Sequence, residues 1–295
     1  MKPRIRFQRY ARFRILLPPP SVSYPVDESR LQRDAPCGQS ILNMGSQPQV
    51  SSYTAAAPRG IFNYAWGVIA TFLSALWTMI CATGAAIAAM MNKPHAVTLI
   101  TRAWGRGIVG VCGIKVQIEG LENLTGLKSY VLVANHQSFF DIFASAAFLP
   151  GEPRFVAKKE LLKIPIVGYA MQRGGHIIID RDAGGQAIRK AIKIIQTGLD
   201  VCVFAEGHRY NDNRIHEFND GGAWLAILSK LPAVPMSISG SGRFYPRGAM
   251  IVTPGLTMRM IIGKPISTEG MRSADRTELT RKLEEAVRAT FTTEV

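Results

Sequence analysis

From Gly60 to Asn92 the chain carries no charged residue. Wound as one helix, such a run would be ~45 Å long against ~30 Å of bilayer hydrocarbon. That length suits a tilted spanning helix, or a helix pair that dips in and returns near Thr83-Gly84. Trp66 and Trp77 are the residue type that settles at a membrane interface. A cleaved signal is the poorer fit, since such signals are shorter and lie nearer the start of a chain. A buried core helix is the competing reading, but core helices seldom run this far without charge. Basic residues stand on both sides, with Arg59 before and Lys93, Arg102 and Arg106 after. Orientation is therefore left open.

The 295 residues can bury a sizeable core. A net charge of +14 and a pI near 9.9 point to anionic partners such as lipid headgroups, phosphorylated substrates or nucleic acid. The charge is concentrated at the start, where five arginines lie between Arg4 and Arg14, followed by Pro18 to Pro20. Residues 1–58 read as a basic extension that cannot offset its ordering entropy by burial, so disorder is the default. An Arg-rich transit peptide and a membrane-surface or nucleic-acid arm using Phe7, Tyr10 and Phe13 are the alternatives. Met44 is a second candidate start. The four cysteines (Cys37, Cys81, Cys112 and Cys202) form no CxxC pair and read as free thiols.

Beyond about residue 93 short β-rich runs alternate with helical stretches. IKVQIEG, YVLVANH, RFVAK, HIIIDR, VCVFAEG, AVPMSIS and MRMIIGK read as strands. GGQAIRKAIKIIQTG reads as an amphipathic helix with Ile188, Ala191, Ile192, Ile195 and Leu199 inward. A last helix is expected over 274–291, with Leu279, Leu283, Ala286 and Val287 inward. The pattern predicts an α/β domain over 93–295, a mainly parallel sheet flanked by helices, preceded by a membrane-associated helical segment over 59–92. No internal repeat is visible.

In such sheets chemistry gathers at the carboxyl ends of strands. Three expected strands end in ionisable clusters: Asn135-His136, Asp180-Arg181 and Glu206-Gly207-His208-Arg209. On one helix, five residues would set His136 and Asp141 about 140° apart, out of contact. If His136 ends a strand and Asp141 begins the next helix, the turn can fold the carboxylate back onto the ring. The pair would then be a base with its orienter, needing no protein nucleophile if the substrate supplies the hydroxyl. Ser138 is placed to cap the following helix. From this block alone an ordinary polar strand end reads equally well.

NHQSFFD, GGHIIIDR, FAEGHR and AVPMSISG, in that order, resemble the four sequence blocks of the glycerolipid acyltransferase family. The likeness is best to its lysophosphatidate (1-acyl-glycerol-3-phosphate) acyltransferase branch. RFVAKKELLKIPIVGYAMQRGG resembles that family's connecting segment, so the likeness covers about residues 98–268. It implies that His136, held by Asp141, deprotonates the glycerol hydroxyl, which attacks the thioester of acyl-CoA or acyl-carrier protein. It implies phosphate-binding roles for Arg181 and Arg209, with Lys158 a further candidate, and arginine's planar fork suits that anion. Gly207 would let the backbone approach the ligand, and Glu206 would orient an arginine or a substrate hydroxyl. No metal or bound cofactor is implied, since the acyl thioester is a co-substrate. The partners are membrane lipid and lysophosphatidate rather than nucleic acid. A membrane location follows, taken as the bacterial inner membrane with the α/β domain on the cytoplasmic side. Oligomeric state is not legible.

The sequence departs from the family's usual FPEGTR at Ala205 and His208. His208 replaces a small hydroxyl with a titratable ring and is a candidate for acceptor specificity. Asn219 stands where the family often has a lysine. Two functional alternatives remain: an acyltransferase for another acceptor, such as glycerol-3-phosphate or another lysolipid, and a non-catalytic basic membrane-binding protein. A metal site from His208, Asp212, His216 and Glu217 follows no metal-ligand spacing. Gly240-Ser241-Gly242 lacks the surroundings of a phosphate loop.

Overall fold

The computed structural model describes residues 60–295 apart from 152, 165, 180–190, 193, 194, 196 and 197. The expectations for residues 1–58, for Met44 and for most of the 184–198 helix lie outside the described residues. So does Arg181.

Seven strands form one sheet: β1 (Lys115–Glu119), β2 (Val131–Ala134), β3 (Arg154–Lys158), β4 (Ile177–Ile179), β5 (Val201–Phe204), β6 (Ala233–Ser239) and β7 (Thr257–Ile262). Their order is β1-β7-β6-β2-β5-β3-β4. Each falls within one of the seven apolar runs or a residue beyond it. Strands β6, β2, β5, β3 and β4 are parallel. β7 pairs antiparallel with β6 and parallel with β1, so these two run the other way. The carboxyl ends of the five parallel strands therefore share one edge, where the first three polar clusters were expected.

The sheet is covered on both faces. Alternate residues of β2 divide between two cores, Leu132 and Ala134 into one, Val131 and Val133 into the other. The first core includes α2 (Pro94–Val111) and α3 (Phe139–Phe148), the second α5 (Gly221–Ser229) and α6 (Arg276–Thr290). In α6, Leu279, Leu283 and Val287 recur at four-residue spacing and are fully buried. Its outer face is laced by Arg281 with Glu278 and Arg288 with Glu284, at spacings that put side chains side by side on a helix surface. A short α4 (Val167–Arg173) precedes β4.

The uncharged run forms a single helix, α1 (Ile61–Met90), unbroken at Thr83-Gly84. The chain turns only at Met91 to Lys93, and Pro94 then starts α2 at a position where its missing N–H costs nothing. α2 is not among the expected elements; its buried positions are Val97, Gly105, Ile108 and Val109. α1 is long and apolar enough to cross a membrane. Phe62 is 88% exposed, Phe72 69% and Ile80 53%, which separates α1 from a buried core helix. Trp77, expected at an interface, is turned inward: its indole N–H donates to Ala103 O (3.3 Å) and its ring covers Gly107. Trp104 answers by donating to Thr78 Oγ1 (3.0 Å). α1 is also seated on the β6–β7 connection, where Val252 N donates to Thr71 Oγ1 (3.0 Å).

α2 crosses α3 at Gly105. A Cβ there would lie 2.4 Å from Phe143 O and 2.9 Å from Ala147 N, so the backbones themselves are in contact. At Gly110, on the same helix, a Cβ meets nothing within 4 Å. Gly105→Ala should therefore lower the thermal midpoint of the detergent-solubilised protein. Gly110→Ala should hold or raise it, since helical Gly is about 0.5–1 kcal/mol less favourable than Ala. Equal effects of the two would contradict this packing.

Candidate active site

His136 follows β2 by two residues, and Asp141 lies in the first turn of α3. Asp141 Oδ2 accepts from Gln137 N (2.7 Å) and Ser138 N (2.9 Å) and stands 2.8 Å from His136 Nδ1. Ser138 caps α3 and donates its hydroxyl to Tyr245 O (3.1 Å). One local sequence thus solves two problems. The carboxylate satisfies N–H groups that a helix start leaves unpaired, and the same oxygen meets the ring. Its negative charge also sits at the positive end of the helix. Asp141 is fully buried, while the His136 side chain keeps 13% exposure. The ring lies flat against Phe204 at 4.1 Å between centroids. With Nδ1 committed to Asp141, Nε2 is the nitrogen left for a ligand.

The loop entering the histidine is held from the other side. Asn135 mimics a strand residue, donating Nδ2 to Ile238 O (2.8 Å) and accepting from Ile238 N at Oδ1 (2.7 Å). This continues the β2–β6 ladder one step beyond β2, and no sequence signal separates this role from that of a generic polar residue.

Glu206 ends the turn after β5 and is 2% exposed. Both its oxygens accept backbone N–H groups, Oε1 from His136 (2.8 Å) and Oε2 from His216 (3.3 Å). The sequence reading assigned it an arginine or a substrate hydroxyl. The structure makes it a tie between the histidine's loop and the 207–216 loop. Burial pushes its carboxyl up to about 8, against the two N–H bonds and with help from Asp141 and Asp212. Gly207 has φ +69°, a conformation that disfavours any side chain. Asn219 donates its side-chain amide to Ala205 O (2.9 Å), pinning this same turn. Its departure from the family's lysine thus has a local structural use.

Arg209 is half-buried, its guanidinium 3.7 Å above the Phe139 ring at the start of α3. Such stacking contributes about 0.5–2 kcal/mol. Burial moves its pKa down, and it stays charged at any physiological pH. His208 lies edge-on to Tyr210 at 6.4 Å, and Tyr210 stacks on His216 at 3.6 Å. His216 Nε2 is 2.8 Å from Asp212 Oδ2. Among the described residues no group of three metal-ligand side chains converges. Lys158 ends β3 at the same sheet edge and is exposed. His136, Asp141, Glu206, Gly207, His208 and Arg209 are therefore brought together, with Lys158 on the neighbouring strand end. Phe139, Tyr245 and Phe204 are the site residues that sequence reasoning missed; they are aromatic positions indistinguishable from core in a pattern of apolar residues.

A histidine oriented by a buried carboxylate, beside a fixed arginine, is suited to activating a hydroxyl near an anion. The sequence profile of the Acyltransferase family matches residues 115–239. A 1-acyl-sn-glycerol-3-phosphate acyltransferase from Pseudomonas aeruginosa is 31% identical over 186 residues, 61% of this chain and 70% of the relative. A chloroplastic protein of the same description from Brassica napus is 33% identical over 156 residues, 52% of this chain. The match spans only 45% of that plant protein. The crystal structure of the 1-acyl-sn-glycerophosphate acyltransferase PlsC from Thermotoga maritima shares the fold, with TM-score 0.68 and 24% identity over 77% of this chain and 95% of that one. This chain belongs to the acyltransferase family.

Between pH 4.5 and 8 native Glu206 holds a proton that an ordinary glutamate has released. The folded state binds more protons, so its stability falls as pH rises through that window. Glu206→Gln should flatten that slope in thermal melts between pH 5 and 8, while lowering stability at pH 5 through the lost His216 N–H bond. An unchanged slope would remove Glu206 as its source.

Proposed function

We propose that the protein transfers an acyl chain from acyl-CoA or acyl-carrier protein to the free hydroxyl of lysophosphatidate, giving phosphatidate. The observation that carries this reading is the His136–Asp141 pair, which commits Nδ1 and leaves Nε2 for a substrate, with Arg209 fixed over Phe139. The relatives' name supplies the acceptor, because both curated relatives are called 1-acyl-sn-glycerol-3-phosphate acyltransferases.

In this mechanism Asp141 keeps the imidazole proton on Nδ1, so Nε2 takes the proton of the acceptor hydroxyl. The oxygen attacks the thioester carbonyl, the C–O ester bond forms, and the C–S bond breaks. The imidazolium returns its proton to the leaving thiolate, and a free thiol departs. Asp141 stabilises the imidazolium formed between these steps. Arg209, with Arg181 and Lys158, binds the acceptor phosphate, and His208 tunes acceptor choice. No step requires a metal or a bound cofactor. α1 lies in the bilayer, which brings the sheet edge to where a lysolipid resides. The location we propose is the bacterial inner membrane, with the α/β unit on the cytoplasmic side. Protease added to sealed inside-out vesicles should then cleave the α/β unit, and cleavage confined to right-side-out vesicles would reverse the orientation.

In purified membranes with labelled acyl donor, His136→Ala should reduce transfer by about a hundred- to ten-thousandfold, the usual worth of a general base. Undiminished transfer would sink the mechanism. Turnover only with acceptors lacking a phosphomonoester would sink the lysophosphatidate assignment. His208→Thr should alter acceptor preference or its pH dependence.

A further inference from the structure

Two loops meet over the first turn of α3. One carries Arg209 on the face of Phe139. The other carries Tyr245, whose ring lies 6.2 Å from Phe139 and whose carbonyl accepts the Ser138 hydroxyl. Two residues beyond each anchor the loops are joined reciprocally. Asn211 Nδ2 donates to Arg247 O (2.8 Å), and Arg247 N donates to Asn211 Oδ1 (2.7 Å). A half-buried asparagine spends both ends of its amide on the main chain of one residue, which fixes where Arg247 starts. That residue is exposed, two positions from an anchor that touches the same ring as Arg209. Burial lowers the pKa of Arg209 most, the Asp141 carboxylate opposes that, and the positive charge of Arg247 lowers it further, so the two cations are within electrostatic reach of each other. Neither forms an ion pair with a carboxylate among the described residues. Two guanidiniums close enough to repel each other are relieved by a dianion bound between them.

We infer that Arg247 is a second arginine for the acceptor's phosphomonoester, held beside Arg209 by the Asn211 clamp. The inference rests on the lysophosphatidate reading above. The same chemistry could instead serve a phosphate of the acyl donor, so the kinetics must separate the two substrates.

The full chain in mixed micelles is assayed at varied lysophosphatidate and at varied acyl-CoA. Arg247→Gln should raise KM for lysophosphatidate about tenfold, equivalent to about 1.4 kcal/mol, with a smaller change in kcat. KM for acyl-CoA and the thermal midpoint should hold. Arg247→Lys should recover much of the loss, and Asn211→Ala should shift KM in the same direction as Arg247→Gln. An unchanged lysophosphatidate KM, a rise confined to acyl-CoA, or a fall in thermal midpoint matching the kinetic loss would each overturn the inference. Affinity for a lysophosphatidate lacking the acceptor hydroxyl keeps the two readings apart. Binding that weakens with Arg247→Gln in a protein without transfer upholds the inference and removes the reaction. Transfer to lysophosphatidate that ignores Arg247 does the reverse.

Discussion

One carboxylate oxygen, Asp141 Oδ2, meets the imidazole of His136 and the main-chain N–H groups of Gln137 and Ser138. The contacts lie in a space from which water is excluded, since Asp141 has no exposed surface. A buried carboxylate needs donors, and the start of a helix is the cheapest local source of them. Here they gather on Oδ2, while Oδ1 has no partner among the described residues. The turn between β2 and α3 therefore does what two separate elements would otherwise have to do. It begins the helix and it aims the ring. Glu206 adds the complementary restraint by holding the histidine's main chain, so ring and backbone are gripped from opposite sides.

That arrangement needs a platform that does not shift. β2 is flanked by β5 and β6 in parallel register, and Asn135 carries the ladder past the end of the strand. α3 is backed by α2 at a backbone-to-backbone crossing through Gly105. α2 in turn is locked to α1 by paired tryptophan hydrogen bonds. The apolar helix is thereby coupled through α2 to α3, the helix that carries Asp141. A helix that leaves its large apolar side chains bare would be an aggregation hazard in water.

The strands were legible because branched apolar runs bounded by turn residues have few other uses in a chain of this length. The spacing of His136 and Asp141 forbade contact on one helix and allowed it between a strand end and a helix start, but only the likeness of the later blocks to the acyltransferases favoured the pair over an ordinary polar strand end. Less could be read where a residue's value depends on a partner far along the chain. Trp77 is a membrane-interface residue by type, but Gly107 opposite it makes room for the ring to turn inward. Glu206 looks like an acid waiting for an arginine, yet its oxygens are taken by backbone donors ten and seventy residues away. Asn219 looks like a lost charge and proves to be a hydrogen-bond donor to Ala205.

By itself the sequence determined the α/β alternation and the apolar helix, both set by local periodicity. The histidine–aspartate pairing was one of two readings that its spacing allowed, and was favoured by the likeness of four ordered blocks to the acyltransferases. Only the tertiary structure decided what surrounds that pair. Phe139 beneath Arg209, Tyr245 over the helix start and Asn211 against Arg247 are contacts between loops remote in sequence. Such contacts exist because the sheet order brings the ends of β2, β5 and β6 to one edge, and strand order is a property of packing rather than of any residue pattern.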